Sequence, residues 1–298
     1  MCWKPAALST RAARAVGLVL ALALQLISAS AIAAPCDRLS GDKRGLAEKL
    51  FRSTYPYDCC DETLDRCLKQ KSVCKLAKRL RDDICRRVLR GDDEKKVKTA
   101  LDRRSRSMTP VTKKASIDLA GLTPAGDPTG KVVVVAYACA RCPYCGKVVP
   151  ELHRLATASG LKSKVVVYFK PFPISDHKGS VEGGLAFVVA HKLGRFWPYV
   201  LKLYAEYDRF SVSKLAEWAA AVGMDRAAFE KEMSSAENRR RLVESKKEGL
   251  RNSVDATPTL FISGRRYQGD LDRDSLLDVL DEEADRVAQR THCEAGPR

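Results

Sequence analysis

Apolar positions along the chain follow three regimes. In the first, from Val16 to Ile27, the apolar run is broken only by Gly17 and Gln25. In the second, over residues 36 to about 104, apolar residues recur in a strongly charged background with few β-branched runs, as short amphipathic helices do. Beyond residue 130, continuous apolar runs alternate with helical spacing. Residues 131–137 contain Val132, Val133, Val134 and Val135 in succession, as expected of a strand buried on both faces. Residues 143–158 place Val148, Val149, Leu152 and Leu155 on one helical face, and residues 164–172 predict a second buried strand. A helical tract follows over 181–250, with Asp225 as an N-cap before Ala227 and Ala228. Residues 259–263 and 266–268 flank Gly264 as a hairpin, and Asp272 opens a last helix carrying Leu276, Leu280, Ala284 and Val287. The order strand, helix, strand, helices, strand, strand, helix defines an α/β domain.

The first regime reads as an export signal over residues 1–33. It carries Lys4, Arg11 and Arg14 without an acid, and it ends in small residues with Ala31-Ile32-Ala33 in the arrangement a signal peptidase uses. An uncleaved single-span anchor is the alternative. Pro35 before Cys36 does not suit a lipobox. With 298 residues the chain has room for two domains. Its net charge is +16, and residues 36–116 hold 23 basic against 13 acidic side chains. No aromatic-rich sheet motif or zinc-finger spacing accompanies that excess, so a solvated basic face is expected rather than a nucleic-acid site. Beyond the signal, no membrane segment is expected. The expected location is periplasmic or extracellular.

Of the 11 cysteines, removal of the signal takes away Cys2 and leaves an even number, which in an exported chain suggests disulfides. The segment 34–104 is read as a small cysteine-rich helical module. Seven and eleven residues both return to nearly the same helical face, which aligns Cys60 with Cys67 and Cys74 with Cys85. Two helices facing each other across Lys69-Gln70-Lys71-Ser72 are then expected to be stapled, with Cys59 among the structural cysteines. A second redox site at Cys59 and Cys60, or a metal site, remains open, and the pairing is not readable from spacing. Residues 105–129 form a linker, Arg103, Arg104 and Arg106 at its start read as solvated, and Ile117-Asp118-Leu119 suggests an edge strand. The α/β domain spans 130–291, with a helical insertion at about 176–251, followed by a tail over 292–298.

The chemistry concentrates at Cys142-Pro143-Tyr144-Cys145, where the first strand ends and the first helix of the domain begins. A thiol at a helix N-terminus meets free N–H groups and the positive end of the dipole, so its thiolate is favoured. Cys142 is therefore expected to be the nucleophile. Pro143 suits the first turn, where its missing N–H costs nothing, and Cys145 lies one turn in, placed to resolve a mixed disulfide. Cys139 extends the motif to Cys-x-x-Cys-x-x-Cys and is read first as a packed thiol or as the partner of a cysteine in the N-terminal module, with an accessory redox thiol as the remaining alternative. A metal knuckle is the competing reading, but no second pair or nearby His completes four ligands. His153 and His177 are either tuning or packing residues, while Trp197, Trp218 and Phe229 lie on helical stripes expected in the core. No phosphate loop, serine triad or nucleotide fingerprint is present, and no cofactor or metal is expected.

With these motifs in hand, the sequence resembles the thioredoxin superfamily, in its DsbA-like branch with a helical insertion. The resemblance rests on four features: Cys142-Pro143-Tyr144-Cys145 after a valine strand; Lys170-Pro171-Phe172-Pro173; Phe196-Trp197; and Thr257-Pro258 before Thr259-Leu260-Phe261-Ile262. It covers about residues 116–290 and leaves the cysteine-rich module outside. It implies a thioredoxin fold with an inserted helical subdomain and a cis proline at Pro258. It further implies that the Thr257 backbone pairs with an extended substrate segment. The activity implied is thiol-disulfide exchange with protein thiols and disulfides, sustained by a redox partner that regenerates the site. Three features depart from the pattern: Ala136 stands where many relatives carry a buried acid, Cys139 has no usual counterpart, and the central pair lacks the His that a strong oxidase more often carries. The Pro143-Tyr144 pair resembles isomerase-like and glutaredoxin-like sites as much as a strong oxidase, so oxidase, isomerase and reductase directions stay open. A redox-inactive scaffold and a metal-handling protein are the alternative functions.

Overall fold

Five strands, β1 (Ala125–Gly126), β2 (Val132–Ala138), β3 (Val165–Pro171), β4 (Thr259–Ile262) and β5 (Arg265–Tyr267), form one sheet in the order β1-β3-β2-β4-β5. The structure is a computed structural model describing residues 34–109 and 114–294; the export signal expected over 1–33 lies outside these residues. β2 is central, parallel to β3 and antiparallel to β4, with Val134 opposite both Val167 and Ile262. Alternate β2 residues enter two cores: Val132, Val134, Ala136 and Ala138 face one, Val135 and Tyr137 the other. A strand covered on both faces has no polar face to show, which is why the valines run without interruption. The β4–β5 hairpin turns at Ser263 and Gly264, whose φ values of 47° and 82° are those of a two-residue turn matched to strand twist.

Ile117-Asp118-Leu119 is not a strand. Ile117 and Leu119 pack against the second core, over the sheet face rather than at its edge. The alternation is produced by that contact, with Asp118 N–H donating to Glu248 Oε2 at 2.9 Å. The edge strand is β1 instead, paired antiparallel with β3.

The N-terminal region comprises α1 (Gly41–Ser53), α2 (Leu64–Cys67), α3 (Lys75–Arg90) and α4 (Glu94–Met108). Asp93 caps α4 by accepting from Lys96 N–H at 2.8 Å, and Gly91, at φ 94°, ends α3. Leu50, Leu64, Leu80, Ile84 and Val97 fill a core separate from that of the sheet. Three disulfides cross this small core: Cys36–Cys85, Cys59–Cys74 and Cys60–Cys67. The helical alignment of Cys60 with Cys67 is not what joins them, because Cys60 precedes α2 and the chain folds back on itself between them. Cys74 and Cys85 do lie along α3, Cys74 as its N-cap, yet they bond outward to Cys59 and Cys36.

The supposed linker begins as helix. α4 runs on to Met108; Arg103 and Arg106 are solvated as expected, but Arg104 is 3% exposed and is not. The reason lies across the interface with α11 (Arg273–Glu294). Arg104 pairs with Asp278 at 2.7 Å, Glu282 at 2.8 Å and Asp83 at 3.3 Å. Arg79 reaches Asp281 and Asp285, Arg86 reaches Asp278, and Arg87 reaches Asp270 just before the helix. Part of the module's basic excess therefore faces the acids of α11 rather than solvent. The same helix continues to Glu294, into what the sequence suggested was a tail.

The remaining helices are α5 (Pro143–Ala158), α6 (Ser180–Lys192), α7 (Phe196–Ala205), α8 (Leu215–Ala221), α9 (Arg226–Met233) and α10 (Ala236–Arg251). The single tract expected over 181–250 is thus five helices, with Asp225 capping α9 through Ala228 N–H at 2.7 Å. Trp197, Trp218 and Phe229 are buried.

Candidate active site

The site is set by the way β2 hands over to α5. Cys139 to Cys142 form a turn, closed by Cys142 N–H donating to Cys139 O at 3.2 Å. Cys142 then takes the N-cap position of α5 in extended conformation, and Pro143 occupies its first turn. Tyr144 projects outward, 68% exposed, while Cys142, Cys145 and Cys139 are all buried free thiols. Opposite, the Thr257-Pro258 bond leading into β4 is cis, and Cys142 Sγ donates to Thr257 O at 3.1 Å. β4 pairs with β2 through Tyr137 and Thr259, so the sheet holds these two distant segments face to face.

The two thiols of the motif are pushed apart in acidity. The Cys142 thiol is lowered from 9.0 to about 5, first by a hydrogen bond from the Cys145 thiol and further by the helix N–H groups of Cys145 and Tyr144, against the cost of burial. Cys145 moves the other way, raised well above the usual range by its own burial and then by Cys142. The Thr257 hydroxyl, buried with no partner at normal hydrogen-bond geometry, lies where it favours the charged form of either sulfur.

Cys139 occupies a third position in this cluster. Its N–H donates to Cys145 Sγ at 3.4 Å, its Sγ accepts from Arg141 N–H at 3.4 Å, and its carbonyl accepts from Tyr204 Oη at 3.1 Å. His177, one of the two histidines considered as tuning groups, places Nδ1 at 3.5 Å from Cys139 Sγ, not beside Cys142. His153 packs at a tilt against the Trp197 ring, with centroids 5.0 Å apart, and burial lowers its pKa. Arg141, which sequence reasoning passed over, lies above the rings of Tyr207 and Phe210 at 4.8 and 4.5 Å. That clamp ties the Cys139–Cys142 turn to the helical insertion, and only the folded chain brings these residues together.

Ala136 is buried in β2 and offers no acid to the cluster. The neighbouring Tyr137 hydroxyl donates to Glu248 on α10 at 2.5 Å, and Glu248 pairs with Lys170 at 2.8 Å. The cysteines expected to be structural, Cys59, Cys60, Cys67, Cys74 and Cys85, bond among themselves and with Cys36, and none joins Cys139, Cys142 or Cys145. Among the described residues no group of three or more His, Cys, Asp or Glu side chains is arranged to hold a metal ion, and no helix is long and apolar enough to cross a membrane.

A protein-family model described as Thioredoxin matches residues 121–282, and the chain belongs to this family. Its arrangement of a thioredoxin sheet with inserted helices is DsbA-like. BdbD from Bacillus subtilis superposes with a TM-score of 0.51 at 17% identity, covering 58% of this chain and 97% of that one. Alpha-DsbA1 from Wolbachia pipientis gives 0.50 at 16% identity, covering 59% and 96%. At such identities the likeness is one of fold. In sequence, the chain is 26% identical over 159 residues to the Na(+)/H(+) antiporter NhaA 1 of Mycobacterium sp. (strain KMS), which is 52% of this chain and 26% of that protein. The chain thus spans about a quarter of the length of the curated relatives it matches.

Proposed function

We propose that the protein is an exported thiol-disulfide oxidoreductase that exchanges disulfides with protein substrates through Cys142 and Cys145. The observation that carries this reading is the placement of two free thiols one helical turn apart at the N-terminus of α5, with Cys142 against the cis Thr257-Pro258 segment, an arrangement that lowers the Cys142 thiol and raises that of Cys145. Cys142 is the attacking and leaving sulfur, Cys145 its disulfide partner. Pro143 and Tyr144 shape the first turn, and the Thr257-Pro258 backbone offers the edge on which an extended substrate segment docks. Three disulfides in the N-terminal module support an oxidising compartment outside the cytosol.

The direction favoured is disulfide donation. A substrate thiolate attacks Cys142 in the Cys142–Cys145 disulfide, and Cys145 departs and takes up a proton. A second substrate thiolate then attacks the substrate sulfur of the mixed disulfide and expels Cys142, an easily displaced group because its thiolate is stable. With no acid at Ala136, loss of the Cys145 proton is slow, which holds back reversal of the first step and leaves reoxidation to a partner that draws the exchange forward. A separate partner must reoxidise the dithiol. The test is twofold. Cys142→Ser should abolish exchange with a protein disulfide, and the measured potential of the couple should fall near the oxidising end of the thioredoxin-fold range. Exchange persisting in Cys142→Ser would refute the assignment, and a potential as low as that of a structural disulfide would favour the scaffold reading.

A further inference from the structure

Disulfide exchange as just described uses two thiols, but the site contains three. Cys139-Ala140-Arg141-Cys142 and Cys142-Pro143-Tyr144-Cys145 are overlapping Cys-x-x-Cys pairs that share Cys142. The first pair spans the turn closed by Cys142 N–H on Cys139 O. Such a turn holds its end Cα atoms within about 7 Å, close to the span of roughly 4.4–6.8 Å that a disulfide bridges. Cys142 therefore has a potential bonding partner on each side.

The two flanking thiols differ in what can take their proton. Cys145 is 0% exposed, and the groups acting most strongly on it are Cys142, Thr257 and the Cys139 N–H, none of them a carboxylate or an imidazole. Cys139 has the His177 imidazole 3.5 Å from its sulfur and the Arg141 N–H directed at it. The other charged or titratable groups near it are Lys246 from α10, Tyr204 from α7, Tyr207 just beyond α7, and Cys142 and Cys145 themselves. Lys246 favours the thiolate, although burial as a whole works against it. His177 is partly exposed, so a proton it receives can pass to water.

We propose that Cys139 is a second resolving thiol for mixed disulfides at Cys142, with His177 as its proton acceptor. The proposal rests on the exchange activity above and extends it. The Cys139 proton moves to His177 Nδ1, and the Cys139 thiolate attacks Cys142 Sγ. The Cys139–Cys142 bond forms as the Cys142–substrate bond breaks, and the substrate leaves as a thiolate that is then protonated. Cys139 is oxidised, the substrate sulfur is reduced, and no outside oxidant is needed. Such a step frees a substrate that has no second thiol within reach, at a point where Cys145 stays protonated.

The experiment uses the reduced mature protein and one equivalent of oxidised glutathione as the probe disulfide. Cys145→Ser is expected to release both glutathione halves and to yield a Cys139–Cys142 linked peptide on mass mapping. Cys145→Ser combined with Cys139→Ala should release only one half and keep the other on Cys142. His177→Gln in the Cys145→Ser background should slow the second release at least roughly tenfold at neutral pH, with the deficit closing at alkaline pH, where the thiolate forms unaided. Retention of glutathione on Cys142 in Cys145→Ser, with no Cys139–Cys142 peptide, overturns the proposal, and mapping of that variant alone decides it if the double variant fails to fold. Cys142→Ser serves as the control: if it still releases both glutathione halves with a disulfide formed between Cys139 and Cys145, the exchange reading itself falls, independently of the Cys139 proposal.

Discussion

Reduced protein should carry a Cys142 thiolate at neutral pH, and the variant Cys145→Ala tests why. The lowering from 9.0 to about 5 corresponds, at about 1.4 kcal/mol per unit, to roughly 5 kcal/mol of preference for the charged form. This is an upper figure, since solvent screening at the mouth of the site reduces it. The largest single contribution is the hydrogen bond from the Cys145 thiol, while the helix N–H groups of Tyr144 and Cys145 survive the substitution. Losing that bond should raise the midpoint by about 1–2 units, still well below an ordinary thiol. Because the folded value lies below the unfolded one, the thiolate stabilises the reduced folded protein fully above the unfolded midpoint. The contribution shrinks as pH falls and is gone below about 5. The reduction potential should correspondingly change by ~59 mV per pH unit below that midpoint and by ~30 mV above it, as one of the two protons ceases to be taken up. Thiolate absorbance across the pH range, with alkylation rates assigned to Cys142 by peptide mapping, measures both proteins. A wild-type midpoint near that of a free thiol, or no upward shift in Cys145→Ala, would refute the reasoning.

Three further outcomes follow from the packing. Arg104→Met leaves Asp83, Asp278 and Glu282 without their shared cation, and urea unfolding should register a loss of about 3 kcal/mol with Cys142 reactivity unchanged; a loss below about 1 kcal/mol would mean that Arg87 on Asp83, Arg86 on Asp278 and Arg286 on Glu282 suffice. Replacing both Cys36 and Cys85 by Ser opens a cross-link spanning 49 residues, for which loop entropy gives about 4 kcal/mol of lost stability by denaturant titration. Gly249→Ala would bring a Cβ to 2.7 Å from the Phe172 ring and 3.2 Å from Tyr137, so the thermal midpoint should fall by an amount corresponding to about 1–3 kcal/mol; an unchanged midpoint would show that the ring moves freely.

The sequence alone determined the order of elements in the α/β domain, because burial on both faces of β2 and β3 writes itself as uninterrupted apolar runs and a half-buried helix writes itself as spacing. It also placed Cys142 at the start of α5, since a cap residue and a first-turn proline are local features that a short stretch of chain specifies. Contacts between distant segments were decided only by the tertiary structure. Cys60 and Cys67, and Cys74 and Cys85, share helical spacing, yet the partners of Cys74 and Cys85 are Cys59 and Cys36, because bonding depends on where the chain returns in space. Arg104 looks like any solvated linker arginine until α11 supplies Asp278 and Glu282 from more than a hundred residues away. The same holds at the site: neither the spacing of Cys139 nor that of His177 reveals that their side chains meet. Side-chain periodicity records which face is buried, but not what that face is buried against, and here that second fact fixes the disulfide partners, the charge clamp and the third thiol's neighbour.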